Sequence, residues 1–358
     1  MTKPIIGITM GEPAGIGPEI SIKALCDEKI RTLCRPFILG DKDTLEEAKK
    51  FCQGIKLKEK YSLVGYGQFE KIIFNKHEIP VLDFNNVDVK RIRFGKDSAM
   101  GGRASGEYIK KAIELALGKK IHAVVTGPIS KRSFKLGGWG LRYAGHTEMF
   151  ADLTRTKKYA MLLADGNFRV IHVTTHLPLK EAIRSITRER VIRTIELANY
   201  ACRLFGIKKP KICVCGLNPH AGEEGKMGDE EIKVIAPAVR VCRKRGVDVI
   251  GPLPADTMWS KVLAGVYDIG VAMYHDQGHI PTKLLGFQYE ADGKYKEIEG
   301  INITIGIPII RVSVDHGVAY GKAGKGIASY RSLTQAIETA TILAKEKFSK
   351  TPSFKSTR

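Results

Sequence analysis

The sequence predicts an α/β protein built on a largely parallel sheet. Two observations carry that expectation. Short apolar runs of strand length alternate with amphipathic stretches of helix length along the chain, and the runs end in polar turns rich in Gly and Pro. The chain also opens as strand, Gly-rich turn and helix: Pro4–Met10, then Gly11-Glu12-Pro13-Ala14-Gly15-Ile16-Gly17-Pro18, then a helical stretch from Glu19 to Leu25. In open α/β sheets ligands collect beyond the carboxyl ends of the strands, so the polar exits are where chemistry is expected.

The opening turn matches a dinucleotide fingerprint poorly, because Ile20 stands where a third glycine belongs and no Walker lysine follows. A tight turn that needs glycine for its backbone is the simpler account. Residues 36–40 read as a second strand, and residues 43–100 alternate strand-like pieces with polar turns and carry no nameable chemistry. From Ser105 a helical stripe of Tyr108, Ile109, Ala112, Ile113, Ala116 and Leu117 runs to Gly118. Ile121–Val125 is a short strand that exits into Thr126-Gly127-Pro128. Gly145-His146-Thr147-Glu148 opens a helix over Met149–Leu153 with Thr147 as its cap; a helix start with His146 beside it offers donors to an anion.

Phe168–Val173 is a strand leading to Thr175-His176-Leu177-Pro178-Leu179, and Thr187–Phe205 is an amphipathic helix. Lys211–Cys215 exits at Gly216-Leu217-Asn218-Pro219-His220-Ala221-Gly222. Asp229 is placed to cap a helix that runs to Arg245 with a kink at Pro237. Val249-Ile250 leads to Pro252-Leu253-Pro254-Ala255-Asp256, and Tyr267–Met273 leads to Tyr274-His275-Asp276-Gln277-Gly278-His279-Ile280-Pro281. Ile309–Val314 exits at Asp315-His316-Gly317, before a last helix from Ser332 to about Phe348 and a short basic tail.

A chain of 358 residues with 43% hydrophobic and 27% charged residues is expected to fold into ordinary globular domains. No apolar run reaches membrane-span length and the start does not resemble a signal peptide, so a cytoplasmic protein without membrane contact is expected. Seven cysteines without a C-x-x-C do not suggest a disulfide framework, and Cys213 and Cys215 read as small core residues. The net charge of +20 raises the question of nucleic acid, but the cations are spread and no zinc finger, RNP motif or basic zipper is present. A nucleic-acid-binding protein on an enzyme fold is therefore the weaker alternative. A basic surface that draws small phosphorylated or carboxylated molecules accounts for the charge as well, as does a plain Lys-rich solvated one.

The histidines focus the functional reading. His275 and His279 are four apart, a metal-clamp spacing on a helix, but Gly278 and Pro281 favour a loop and break that pairing. His176, His220 and His275 each follow an apolar strand. Any one alone is an ordinary hydrogen-bonded loop histidine; three at the same kind of position suggest a catalytic metal site with open positions. His122 and His172 lie within strands and read as packed residues, and His77 as surface.

The segments Gly11–Glu19, Thr126-Gly127-Pro128, Gly145–Glu148, Thr175–Leu179, Gly216–Gly222, Pro252–Asp256 and Met273–Gly278 resemble, in order, the motifs of the PdxA family. Those are the 4-hydroxythreonine-4-phosphate dehydrogenases of vitamin B6 synthesis. The resemblance implies a two-domain α/β/α subunit of the isocitrate and isopropylmalate dehydrogenase type with its active site in an interdomain cleft. It implies residues 1–130 plus 305–358 on the cofactor side, and residues 131–304 for metal, substrate and dimerisation. It implies a homodimer with a divalent ion (zinc, magnesium or cobalt) on His176, His220 and His275, shared between partners, and substrate contacts at His146, Thr147, Lys283, Asn302 and Arg311. Asp315-His316-Gly317 with Gly324-Lys325-Gly326 resembles the loop that holds the adenosine part of NAD in the isopropylmalate enzymes, which implies NAD or NADP.

The implied reaction is metal-assisted oxidation of the C3 hydroxyl of 4-hydroxythreonine 4-phosphate, with decarboxylation to 3-amino-2-oxopropyl phosphate. Lys283 is a catalytic candidate, and Asp256 and Asp276 are candidate proton acceptors or partners of a metal histidine. His279-Ile280-Pro281 departs from the B6 enzymes and looks more like a branch that oxidises 4-phospho-D-threonate or 4-phospho-D-erythronate to dihydroxyacetone phosphate, with His279 as a substrate contact. Residues 288–300 form an extra polar segment, expected as a surface hairpin.

Overall fold

The structure, a computed structural model, describes residues 3–52, 60–75, 78–289, 291 and 295–349; His77 and the basic tail lie outside the described residues. The chain forms two compact units, Met1–Lys157 with Ile307–Arg358, and Lys158–Gly306. Strands β1 (Ile5–Thr9), β2 (Arg35–Gly40), β3 (Lys60–Gly65), β4 (Glu78–Asp83) and β5 (Ala123–Thr126) come first. The second unit adds β6 (Ala160–Asp165), β7 (Phe168–His172), β8 (Ile212–Cys215), β9 (Val249–Leu253), β10 (Ile269–Ala272), β11 (Phe287–Tyr289), β12 (Tyr295–Ile298) and β13 (Ile301–Ile305). The chain then returns to the first unit with β14 (Ile310–Val314).

In the first unit the strand order is β3-β4-β2-β1-β5-β14, and the pairings are parallel. Ile6, Ile8, Val124, Val125 and Val312 are fully buried, as strands covered on both faces require, and each contributes about 1.5–3 kcal/mol of transfer free energy. The helix Gly17–Cys26 starts with Pro18 in its first turn, and Ala99–Leu117 is capped by Ser98 Oγ, which accepts the Gly101 N–H at 3.0 Å. The tight-turn account of the opening motif holds: Gly11 has φ +78°, and a Cβ there would lie 2.3 Å from the Pro128 carbonyl oxygen. The exits of β1 and β5 close on each other through Glu12 N–H donating to Pro128 O at 2.9 Å.

The first unit extends past residue 130, where the sequence reading placed a boundary. Residues 131–157 stay with it because they pack on the Ala99–Leu117 helix. The Ser98 N–H donates to Ser133 Oγ at 3.2 Å, Trp139 Nε1 donates to Arg103 O at 3.1 Å, and Phe134 is 1% exposed.

In the second unit the order is β13-β6-β7-β10-β8-β9, antiparallel at β13–β6 and β6–β7 and parallel elsewhere. The parallel trio β7-β10-β8 places three strand exits side by side. Cys213 and Cys215 are 0% exposed and belong to its core; burial pushes their thiols up, and all seven cysteines are free. The helix expected from Asp229 differs in its start. A π turn over Glu231–Ile235 leads into Ala236–Lys244 with Pro237 in the first turn, and the Asp229 carboxylate pairs with Lys233 rather than capping. β11 and β12 pair antiparallel, Phe287 opposite Ile298, as the hairpin expectation requires. Among the described residues no helix is long and apolar enough to cross a membrane.

Candidate active site

The exits of β7, β10 and β8 carry His176, His275 and His220. Gln277 ties two of these exits together: its Oε1 accepts the Met273 N–H at 2.7 Å while its Nε2 donates to Gly216 O at 2.8 Å. Thr174 secures the third, donating through Oγ1 to Met273 O at 2.7 Å.

The segment after β10 is a helix, His275–Gly286, not the loop that Gly278 and Pro281 suggested. Gly278 is there for close packing, since a Cβ would lie 2.4 Å from His172 Nε2 and 2.6 Å from Val170 Cγ1. Pro281 forfeits one helical hydrogen bond, to the Gln277 carbonyl. His275 and His279 therefore do share a face, yet they are no clamp. Their rings stack with centroids 3.6 Å apart and planes 10° apart, so their nitrogens point along parallel lines and do not converge on an ion. His279 Nδ1 lies 3.0 Å from His275 O; a carbonyl only accepts, so Nδ1 carries the proton and Nε2 is an acceptor. Burial pushes the His279 pKa down to about 4, so the ring is neutral at pH 7.

His275 has the features of a metal ligand. Its Nδ1 donates to Asp276 Oδ1 at 2.7 Å, which fixes the tautomer and leaves Nε2 with a lone pair. The His176 ring centre is 5.6 Å away, close to the roughly 5 Å of two imidazoles on one tetrahedral ion. His172, behind His279 at 4.7 Å, is 2% exposed, and burial holds its pKa down to about 3. His220 is exposed on a left-handed turn, with φ of 51° at His220, 54° at Ala221, 41° at Glu223 and 58° at Glu224. Each such non-Gly residue costs about 1–2 kcal/mol, which the surroundings must offset. Glu231 does much of this, accepting the Leu217 N–H at 2.6 Å and the Asn218 N–H at 2.7 Å while 3% exposed. Glu231 escaped the sequence reading; the only signal was a carboxylate in an otherwise amphipathic helix. Among the described residues no three His, Cys, Asp or Glu side chains are grouped to hold a metal.

The first unit holds a separate cationic group. Arg311, on β14, is 3% exposed, donates to Thr126 Oγ1 at 2.9 Å and lies 5.5 Å from the centre of the Phe150 ring. Burial lowers its pKa to about 10, so it stays charged at neutral pH. His146 begins the helix His146–Leu153, whose N-cap is Gly145; Thr147 lies inside the first turn and does not cap it, contrary to expectation. Burial and then the Arg311 charge hold His146 well below the ordinary histidine pKa, and its buried Nε2 has no partner among the described residues. A buried guanidinium, a neutral imidazole and a helix start form an anion-binding chemistry.

The other expected residues are more scattered. Lys283 is half-buried with Nζ 4.0 Å from the Phe287 ring centre, Asn302 is half-buried on β13, and Asp256 is exposed in the first turn of the helix Ala255–Leu263. In the first unit Asp315 N–H donates to Ser332 Oγ at 3.4 Å, and His316 Nδ1 donates to Gly317 O at 3.0 Å. Gly324 and Gly326 have φ of +75° and +70°, with Lys325 between them, so that turn presents backbone rather than bulky side chains.

The family model described as "Pyridoxal phosphate biosynthetic protein PdxA" matches residues 32–340. A putative D-threonate 4-phosphate dehydrogenase of Oceanobacillus iheyensis is 44% identical over 349 residues, covering 96% of this chain and 99% of that protein. The D-threonate 4-phosphate dehydrogenase of Cupriavidus necator is 45% identical over 343 residues, 95% of this chain and 97% of its own. Among solved structures, a 4-hydroxythreonine-4-phosphate dehydrogenase from Burkholderia phymatum superposes with a TM-score of 0.79 at 41% identity, covering 96% of this chain and 99% of that one.

Proposed function

The chain belongs to the PdxA family, and from that premise we propose that it is an NAD(P)- and divalent-metal-dependent dehydrogenase of 4-phospho-D-threonate. It oxidises the C3 hydroxyl; the hydride passes to NAD(P)⁺, the proton leaves the oxygen, and the resulting β-keto acid loses CO₂ to give dihydroxyacetone phosphate. The observation that carries the choice of substrate is the likeness to two relatives named for D-threonate 4-phosphate, and His279, a neutral imidazole beside His275, offers Nε2 as an acceptor to the group on C2.

The donor chemistry of His275, His176 and His220 fits a divalent ion such as zinc, magnesium or cobalt. Such an ion would acidify a hydroxyl and draw charge from a developing enolate. Asp276 orients His275, so removal of the hydroxyl proton falls to Asp256 or Lys283. Arg311 takes the phosphate or carboxylate through its planar fork, with His146 and Thr147 at the helix start and Asn302 as a further polar contact. Asp315, His316, Gly317, Gly324, Lys325 and Gly326 hold the adenosine portion of NAD or NADP. The protein works as a homodimer in which the metal histidines are contributed by both copies.

A second reading, 4-hydroxythreonine 4-phosphate as substrate and 3-amino-2-oxopropyl phosphate as product, is favoured by the name of the Burkholderia phymatum structure. Steady-state kinetics with both substrates, each with NAD⁺ and NADP⁺ and with or without a chelator, decide between them. The expected outcome is a kcat/KM preference of about 100-fold or more for the hydroxy acid, lost on chelation. A preference for the amino acid selects the second reading, and no turnover of either ends the dehydrogenase assignment.

A further inference from the structure

Lys23 and Glu19 lie one helical turn apart in Gly17–Cys26, are 7% and 1% exposed, and form an ion pair of 2.6 Å. They touch none of the residues assigned to metal or substrate above. Their remaining hydrogen bonds go to one place. Lys23 Nζ donates to Gly326 O at 2.8 Å and to Ala328 O at 3.1 Å, while Glu19 Oε1 accepts the Ala328 N–H at 2.7 Å. An ammonium has three donors, and these three contacts use all of them.

The loop is also tied earlier on, once to the N-terminal segment and once to the residues before the Ala99–Leu117 helix. Ile16 N–H donates to Val318 O at 3.1 Å, and two residues later Tyr320 OH donates to Asp97 Oδ1 at 2.8 Å. Between these ties and Gly326 lie Gly324, whose backbone is in the left-handed region, and Lys325. The loop is thus suspended at both ends from the turn and helix that follow β1, and the second suspension is an ion pair with fixed directions. Apolar packing would cover the same surface without fixing the height of a carbonyl; a saturated ammonium fixes two.

We propose that the Glu19–Lys23 pair is a positioning device that sets the Gly324–Ala328 backbone for binding the nicotinamide cofactor, and so governs cofactor affinity without taking part in the chemistry. This rests on the reading of residues 315–317 and 324–326 as the cofactor loop. A buried pair can often be replaced by apolar residues of similar volume without loss of stability, whereas removing one partner strands the other charge. The informative variant is therefore the double change Glu19→Leu with Lys23→Met.

Thermal unfolding, amide exchange at Ala328 and steady-state kinetics are measured on the full chain. The expected result is a melting temperature close to the parent's, faster exchange at Ala328, a KM for NAD(P)⁺ raised roughly tenfold or more, and a kcat and substrate KM within about twofold of the parent. A folded double variant with unchanged cofactor KM overturns the proposal, as does unchanged exchange at Ala328. If the double variant fails to fold, Glu19→Gln, which keeps the acceptor for Ala328, is read instead. A kcat loss in that variant without a change in cofactor KM equally overturns the assignment. The cofactor reading is tested apart from it by Asp315→Ala and Lys325→Ala: if neither changes cofactor KM while Ala328 exchange still responds to the double variant, the latch exists but the loop is not the cofactor site.

Discussion

The two candidate binding groups of this chain are built in opposite ways. In the first unit Arg311 is 3% exposed and held by Thr126 and Phe150, a fixed charge in a low-dielectric setting. In the second unit His176 and His220 are exposed and the His275 side chain is about a third exposed. The difference teaches what each group can do alone. A buried guanidinium is preorganised within one chain, whereas exposed imidazoles can be completed by an ion and by residues of another copy.

The largest effect should come from breaking the exposed group. His220→Ala and His275→Ala are each expected to lower kcat by about 1,000-fold or more and to deplete bound metal measured by atomic emission. If the ligands are divided between copies, mixing and refolding the two inactive variants restores a fraction of the activity, because some dimers then hold one intact site. No recovery on mixing would place His220 and His275 in the same chain's site.

Breaking the buried group should cost less and act differently. Arg311→Lys keeps a charge but loses the planar fork, and the expected outcome is a KM for the phospho-acid raised about 10- to 100-fold with bound metal unchanged. Altered metal content in that variant would show that the two groups are not separable.

The smallest effects lie in pH. His172 has its pKa lowered from 6.5 to about 3 by burial, so the unfolded chain takes up a proton that the folded one refuses. Its stability contribution is present above pH 6.5 and is lost as pH falls toward 3, by about 1.4 kcal/mol per unit. Glu12 has the opposite sign. Burial raises its pKa from 4.5 to about 7, so the folded state is favoured below 4.5 and loses stability as pH rises to 7. Denaturant midpoints for His172→Phe should fall less steeply on acidification than the parent's, and those for Glu12→Gln should gain on the parent above pH 7; parallel curves would refute both.

Much of the fold was legible because buried parallel strands announce themselves as apolar runs with polar exits, and β1, β5, β7, β8, β10 and β14 all follow that rule. β6 follows it too, an apolar run that ends at Asp165 and the Gly166 turn, but that run is short and close to β7, and the sequence reading passed over it. The strand exits that carry His176, His220 and His275 were legible as apolar runs ending in polar turns, and the sheet places β7, β10 and β8 side by side. The helix at His275 was misread because Gly278 and Pro281 have local preferences that packing against His172 and Val170 overrides. The roles of Glu231, Glu19 and Lys23 were not legible because they lie in partners elsewhere along the chain; the i,i+4 spacing of Glu19 and Lys23 shows the pair but not what it holds.

Gln277 carries one more implication. Its side chain accepts from Met273 and donates to Gly216 at the same time, across two strands. An amide of that length offers both an acceptor and a donor at the tip of a flexible chain. Glutamate has the length but not the donor, lysine the donor but not the acceptor, and methionine neither. Asparagine has the right groups on a shorter arm. Conservative changes at position 277 therefore each forfeit a contact or its reach, although the residue touches neither ion nor substrate in any role assigned to this chain.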